Sequence, residues 1–110
     1  MTPPADTLSC RSGPDPFQAQ VFDRIADSYE RWYDSPKGRA IFSAELACLR
    51  QLCAECSGRW AEVGVGTGRF GSLMGIGEGI DPSSRMVAMA ASRGIRAYEG
   101  HAEALPFRDG

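Results

Sequence analysis

The stretch WAEVGVGTGRFG, Trp60 to Gly71, constrains this chain more than any other. Gly64, Gly66, Gly68 and Gly71 fall within eight residues, directly after a short apolar run. Glycine loses more backbone freedom on folding than any other residue, so such a cluster needs a compensating reason. A strand that runs into a glycine-rich turn and then a helix supplies one. The turn lies at the carboxyl end of a strand, where open α/β sheets bind their ligands. Its glycines let backbone approach a ligand and take positive φ. The following helix presents free N–H groups and a partial positive charge to an anionic group. A tight turn without a ligand explains one or two glycines, but poorly explains Gly64, Gly66 and Gly68 in strict alternation.

The pattern on either side of the turn predicts alternating helices and strands. Residues 1–16, rich in Pro, Ser, Thr and Gly, read as an N-terminal arm. Asp15-Pro16 offers a cap followed by proline at the first helical position. Phe17, Val21, Phe22, Ile25, Tyr29, Trp32 and Tyr33 then recur at helical spacing. Ser35-Pro36 repeats the start signal, and the second helix is expected to run to about Cys56. Gly58 is its left-handed terminator. Residues 17–57 thus form a helical cap region. From 58 onward the expected order is a strand at Trp60–Val65, a tight turn at Gly66–Gly68, a short helix at Arg69–Met74 and a strand at Glu78–Asp81. A helix capped by Ser83 or Ser84 follows, with Met86, Val87 and Ala90 inward and Gly94 at its end. A third strand lies in IRAYEG. Strands alternating with helices predict an α/β fold with a parallel sheet over residues 58–110.

Charge and cysteine usage narrow the function classes. With 14 acidic and 12 basic residues the formal net charge is −2, Lys37 is the only lysine, and the arginines are scattered. That gives no nucleic-acid footprint. No apolar run is long enough to cross a bilayer, and the N-terminus lacks a basic region followed by an apolar stretch, so a cytoplasmic protein with no membrane partner is expected. Cys48, Cys53 and Cys56 have the spacing C-x4-C-x2-C, which also occurs around iron–sulfur clusters. Those clusters sit in loops, whereas Phe42, Leu46, Leu49, Cys53 and Cys56 form one helical stripe. Cys53 and Cys56 are therefore expected as small core residues, with Cys48 on another face, Cys10 outside any framework, and no metal site.

Two ligand classes fit the turn. Gly66-Thr67-Gly68-Arg69-Phe70-Gly71 matches the dinucleotide pattern G-x-G-x-x-G, which alone says little. The other frame, Glu62-x-Gly64-x-Gly66-x-Gly68, resembles motif I of the class I S-adenosylmethionine-dependent methyltransferases. Asp81 ends the second strand, where a carboxylate can accept bonds from ribose hydroxyls, as either nucleoside ligand requires. GIDPSSRMVAMA (Gly79–Ala90) is similar to that family's second motif. YEGHAEALPFRDG (Tyr98–Gly110) is similar to its third-strand motif, G-D/T-A-E-A-L-P-F. FDRIADSYERWYDSPKG (Phe22–Gly38) resembles the cap helix of its small-molecule members. The resemblance runs from about Phe17 to Gly110.

The resemblance implies a Rossmann-like doubly wound parallel sheet, here its first three strands with two N-terminal helices, and S-adenosylmethionine as cofactor. Gly64 and Gly66 would lie under the methionine part of the cofactor, with Gly68 completing the turn. Glu62 would stabilise the turn or hold the cofactor's ammonium group. Asp81 would bind the ribose hydroxyls, or else cap the third helix. Met86 would pack against adenine, and Tyr29 would lie near the cofactor. His101 stands where the family often has Asp or Thr; it would accept from the adenine amino group only as the neutral tautomer. The backbone around Ala102 would bond to adenine whatever the neighbouring side chain. Trp32 and Tyr33, with Tyr29, would line an acceptor pocket or simply fix the first helix. No catalytic base stands out.

The resemblance also implies that the sequence covers a cofactor-side half, ending at PFRDG where the family begins its fourth strand. The parent would transfer a methyl group to a small-molecule acceptor, while residues 1–110 alone would be inactive. Trp60–Val65 would then be an edge strand, leaving the 110 residues poorly stable or homodimeric. Two alternatives remain: a nicotinamide dinucleotide-binding oxidoreductase domain, and a non-catalytic cofactor-binding interaction module.

Overall fold

A computed structural model describes residues 16–109. Helix α1 spans Pro16–Asp34 and α2 spans Pro36–Leu52. Then come β1 (Ala61–Val63), α3 (Arg69–Met74), β2 (Glu78–Asp81), α4 (Ser84–Ser92) and β3 (Arg96–Glu99). The arm and the Asp15 cap lie outside the described residues.

The junction of α1 and α2 follows from three residues. The Ser35 amide and hydroxyl both donate to the carbonyl of Trp32, closing α1. The Ser35 hydroxyl then accepts from the amide of Gly38, capping α2, and Pro36 fixes φ at its first position. Gly38 is buried against the end of α1. A Cβ there would sit 1.9 Å from the Trp32 carbonyl oxygen and 2.7 Å from the Tyr33 Cα. Backbone cannot yield as a side chain does, so Gly38→Ala must move one helix off the other. Overpacking of this kind costs about 1–3 kcal/mol and occasionally more. A lowered midpoint in chemical denaturation is the expected result; a variant that unfolds with the wild type would show the junction to be loose.

Helix α2 ends four residues before the expected Cys56. Cys53 is its C-cap, and the chain tightens into a turn in which the Cys56 amide donates to the Cys53 carbonyl. The apolar stripe outlasts its packing partner: Leu46 is buried, Cys53 half-buried, Leu52 is 74% exposed and Cys56 is exposed. Cys56 is therefore not a core residue, while Cys48 is exposed on another face as expected. Gly58 is left-handed (φ 95°), but inside the connecting loop rather than at the helix end.

The sheet is parallel with order β1-β2-β3, the incomplete Rossmann-like arrangement expected. Ala61, Glu62 and Val63 register against Glu78, Gly79 and Ile80; Ile80 and Asp81 register against Tyr98 and Glu99. Strand β1 is shorter than Trp60–Val65 because Gly64 takes φ 78° and bends the chain away. The amides of Gly64 and Val65 both donate to the carbonyl of Ile80, which holds the bend against β2. Helix α4 packs on β2 and β3, and α1 packs on both α2 and α4. Val65, Ala90 and Ile95 form the buried centre, with Ala97 against them.

The aromatic residues of α1 divide unevenly. Tyr33 is buried edge-on to Tyr29, Trp32, Phe42 and Phe70, so it fixes α1 to α2 and α3 rather than lining a pocket. Trp32 itself is 44% exposed. No helix among the described residues is long and apolar enough to cross a membrane.

Candidate functional site

Parallel pairing puts the carboxyl ends of all the strands at one edge of the sheet. There the turn after β1, Asp81 at the end of β2 and Gly100–His101 after β3 lie side by side. The Gly100 amide donates to the Asp81 carbonyl (3.0 Å), which fixes the third segment to the second.

The glycines have two separate jobs. Gly64 (φ 78°) and Gly66 (φ 57°) are left-handed, and a Cβ on either would meet no heavy atom of the described residues within 4 Å beyond its chain neighbours. These two face open space. Gly68 also has φ 82°, but a Cβ there would lie 2.8 Å from the Ile95 Cδ1 and 3.0 Å from the Ala90 Cα. At Gly71 it would lie 2.9 Å from a Glu62 carboxylate oxygen and 3.0 Å from the Ile95 Cδ1. Gly68 and Gly71 therefore let α3 sit close on α4 and β1, while Gly64 and Gly66 keep the outer side of the turn clear.

Asp81 is 8% exposed and braces the turn. One carboxylate oxygen accepts from the Gly66 amide at 3.0 Å, and the other from the Ser83 amide at 2.9 Å. It does not cap α4; Ser83 does, its hydroxyl accepting from the Met86 amide. The Ser83 hydroxyl in turn donates to Asp23 of α1 (2.5 Å), which also accepts from the Arg85 amide. These bonds hold the Asp23 carboxyl below its ordinary range, the Ser83 bond first.

Glu62 is half-buried on β1, with one carboxylate oxygen shielded from solvent and without a hydrogen-bond partner among the described residues. The buried hydroxyl of Thr67, inside the turn, makes no hydrogen bond of good geometry among the described residues, but lies near enough to Glu30 to favour its charged form. Burial, and then the negative charge of Asp81, push the Glu62 carboxyl above its ordinary value of 4.5. An acid whose folded pKa is raised contributes stability below its unfolded pKa and loses it as pH rises through the folded value. Glu62→Gln is therefore expected to match or exceed wild-type stability at pH 7 without ligand, the advantage vanishing below pH ~4. Denaturation midpoints across pH test this; a destabilisation equal at every pH would contradict it.

The other expected contacts fall as follows. Met86 is 3% exposed, inside the fold at the start of α4. Tyr29 is half-buried on α1, where burial and the neighbouring Tyr33 raise its phenol pKa. His101 Nδ1 lies 2.9 Å from the Glu103 carboxylate, and Ala102 is exposed in the turn closed by the Ala104 amide on the His101 carbonyl. The His101 bond holds the Glu103 carboxyl below its ordinary value. Among the described residues no group of His, Cys, Asp and Glu could hold a metal ion.

Sequence reading missed one charged cluster. Glu30 of α1 is bonded by Arg69, just after the turn, and by Arg93 at the end of α4. Burial works against ionisation of Glu30, yet Arg93, Thr67 and Arg69 hold its carboxyl below the ordinary value. The partners lie 39 and 63 residues away, so no local pattern announces them.

No family model matches the chain. Uncharacterized proteins of Mycobacterium tuberculosis and Mycobacterium bovis are 44% identical over 84 residues, which is 76% of this chain and 30% of theirs. An uncharacterized protein of Methanocaldococcus jannaschii is 38% identical over 89 residues, 81% of this chain and 42% of its own length. The chain thus spans less than half the length of these relatives. Among solved structures, a SAM-dependent methyltransferase of Thermotoga maritima, described as a possible histamine N-methyltransferase, is similar with a TM-score of 0.73 and 38% identity. The match covers 83% of this chain and 42% of that one.

Proposed function

We propose, from the premise that this chain has the fold of the class I S-adenosylmethionine-dependent methyltransferases, that its glycine turn binds S-adenosylmethionine and that the protein methylates a small-molecule acceptor. One observation carries the reading: Gly64 and Gly66, both left-handed, keep the outer side of the turn clear where Asp81 accepts from the Gly66 amide. An ionised carboxylate offers about four lone-pair sites, so Asp81 can serve two amides and still accept from ribose hydroxyls. Among the described residues Glu62 has no cationic or donor partner; the cofactor's ammonium group would supply one. The residues present therefore fit the cofactor. Gly64 and Gly66 would give the methionine part its close approach, and His101 and Ala102 would lie toward adenine.

Bound there, the cofactor's sulfonium supplies an electrophilic methyl group. The protein's part is placement: such transfers depend largely on holding donor and acceptor close and aligned. Asp81 orients the donor, and burial around Thr67 and Asp81 limits water at that end. The description of the Thermotoga protein supports a small acceptor. Gly68 and Met86 act from inside the fold, by packing.

Thermal unfolding separates this reading from the dinucleotide alternative, because only a ligand that binds the native state raises the melting temperature. S-adenosylhomocysteine is expected to raise it and NAD to leave it unchanged; the reverse result would favour the oxidoreductase. An interaction module would bind S-adenosylhomocysteine yet methylate no acceptor.

Residues 1–110 taken alone are expected to be inactive, and either poorly stable or homodimeric. Among the described residues strand β1 pairs with β2 alone and its other edge carries no bonded strand, and Val63 is half exposed. An unpaired apolar edge is a template for another chain. Sedimentation equilibrium checks this; a stable monomer with a cooperative transition would contradict it.

A further inference from the structure

The Glu30 cluster joins α1 to the glycine turn at each end of the turn. From one side, Arg93 Nη1 donates to the Thr67 carbonyl at 2.7 Å and Arg93 Nη2 to one Glu30 oxygen at 2.6 Å. From the other, Arg69 Nε donates to the second Glu30 oxygen at 3.0 Å. Arg69 Nη2 also reaches the Glu30 carbonyl (3.1 Å) and Asp34 (2.7 Å). Arg69 lies over the buried Tyr33 ring, 5.5 Å from its centroid. Side-chain exposure is 16% for Glu30, 15% for Arg69 and 29% for Arg93, so these pairs are screened far less than surface ones.

Two features make this cluster more than a brace. The turn holds glycines on both sides of Thr67, and glycine backbone is permissive, so something outside the turn must select one conformation. Asp81 does so at the Gly66 amide and Arg93 at the Thr67 carbonyl, and Arg93 is itself aimed by Glu30. Helix α1, meanwhile, leaves Phe22, Ile25 and Trp32 38–44% exposed. Its hold on the nucleotide half is strongly polar: Asp23 on Ser83, Asp27 on Arg85, and Glu30 on the two arginines. Docking of α1 and the shape of the turn therefore share the same bonds.

We propose that Glu30 is a positioning residue that couples the docking of α1 to the ligand-ready form of the Gly66–Arg69 turn. This rests on the reading of that turn as the S-adenosylmethionine site. Coupling is reciprocal: whatever order α1 gives to ligand affinity, ligand must give to α1.

Hydrogen exchange on the protein at its complete natural length, with and without S-adenosylhomocysteine, tests it together with the affinity of Glu30→Gln. Ligand is expected to slow exchange in the amides of residues 16–34 by about 5- to 150-fold, the usual range of allosteric coupling. Glu30→Gln is expected to lose that slowing and a comparable factor in affinity. A merely structural residue would lower the melting temperature without removing ligand-induced protection of α1. Wild-type binding that leaves α1 exchange unchanged overturns the proposal, as does a Glu30→Gln variant that binds within about twofold of wild type. If Glu30→Gln does not fold, the wild-type exchange result decides. A wild type that binds no S-adenosylhomocysteine overturns the reading of the site itself, and the coupling with it.

Discussion

Gly66→Val is expected to lower S-adenosylhomocysteine affinity by about two orders of magnitude or more, equivalent to ~2.7 kcal/mol. Gly66 has φ 57°, where a side chain costs roughly 1–2 kcal/mol. The Cβ meets no protein atom within 4 Å, so it would occupy the space assigned to ligand rather than collide inside the fold. Gly68→Ala is the contrasting control. Its Cβ would press on Ala90 and Ile95, so its main effect is expected on stability. Calorimetric affinity and denaturation midpoints on both variants check the division. A Gly66→Val protein that binds normally would place the ligand elsewhere.

Asp81→Ala is expected to damage affinity and stability together. The carboxylate accepts from the buried amide of Ser83 and the half-buried amide of Gly66, and an orphaned buried donor costs about 1–3 kcal/mol. Lost bonds to the ribose would cost affinity about 1.5–3 kcal/mol more. From sequence alone a role confined to the ligand would predict little change in folding. The structure alters that expectation, because Asp81 ties the turn after β1 to the start of α4. Asp81→Asn keeps one carbonyl acceptor and should fall between wild type and Ala in both measurements. A variant with unchanged melting temperature and unchanged affinity would refute both roles.

Local signals carried most of the fold. Proline after a capping serine at Ser35-Pro36 locates the start of α2, and of the two serines that offer a cap for α4, Ser83 and Ser84, the structure uses Ser83. The bounds of α3 and β2 agree with expectation because Gly68, Gly75 and Pro82 punctuate the chain there. The failures were of another kind. The Cys53–Cys56 extension kept helical periodicity but had no surface to pack on, and periodicity says nothing about a partner. The alternating glycines marked the turn, yet which of them faced outward depends on where a missing Cβ would point. That is a property of the assembled strands and helices. The same holds for Asp81: its carboxylate bonds two segments that meet only after the sheet forms. The Glu30–Arg69–Arg93 cluster had no signature at all, since scattered arginines look like solvated surface until topology brings α1 over the turn.

Calorimetric titration of the complete-length protein with S-adenosylhomocysteine, and separately with NAD, tests the central claim most directly. Saturable heat with one S-adenosylhomocysteine per chain, abolished by Gly66→Val, and none with NAD is the predicted result. No saturable heat with S-adenosylhomocysteine at millimolar concentration, or tighter binding of NAD, would contradict it.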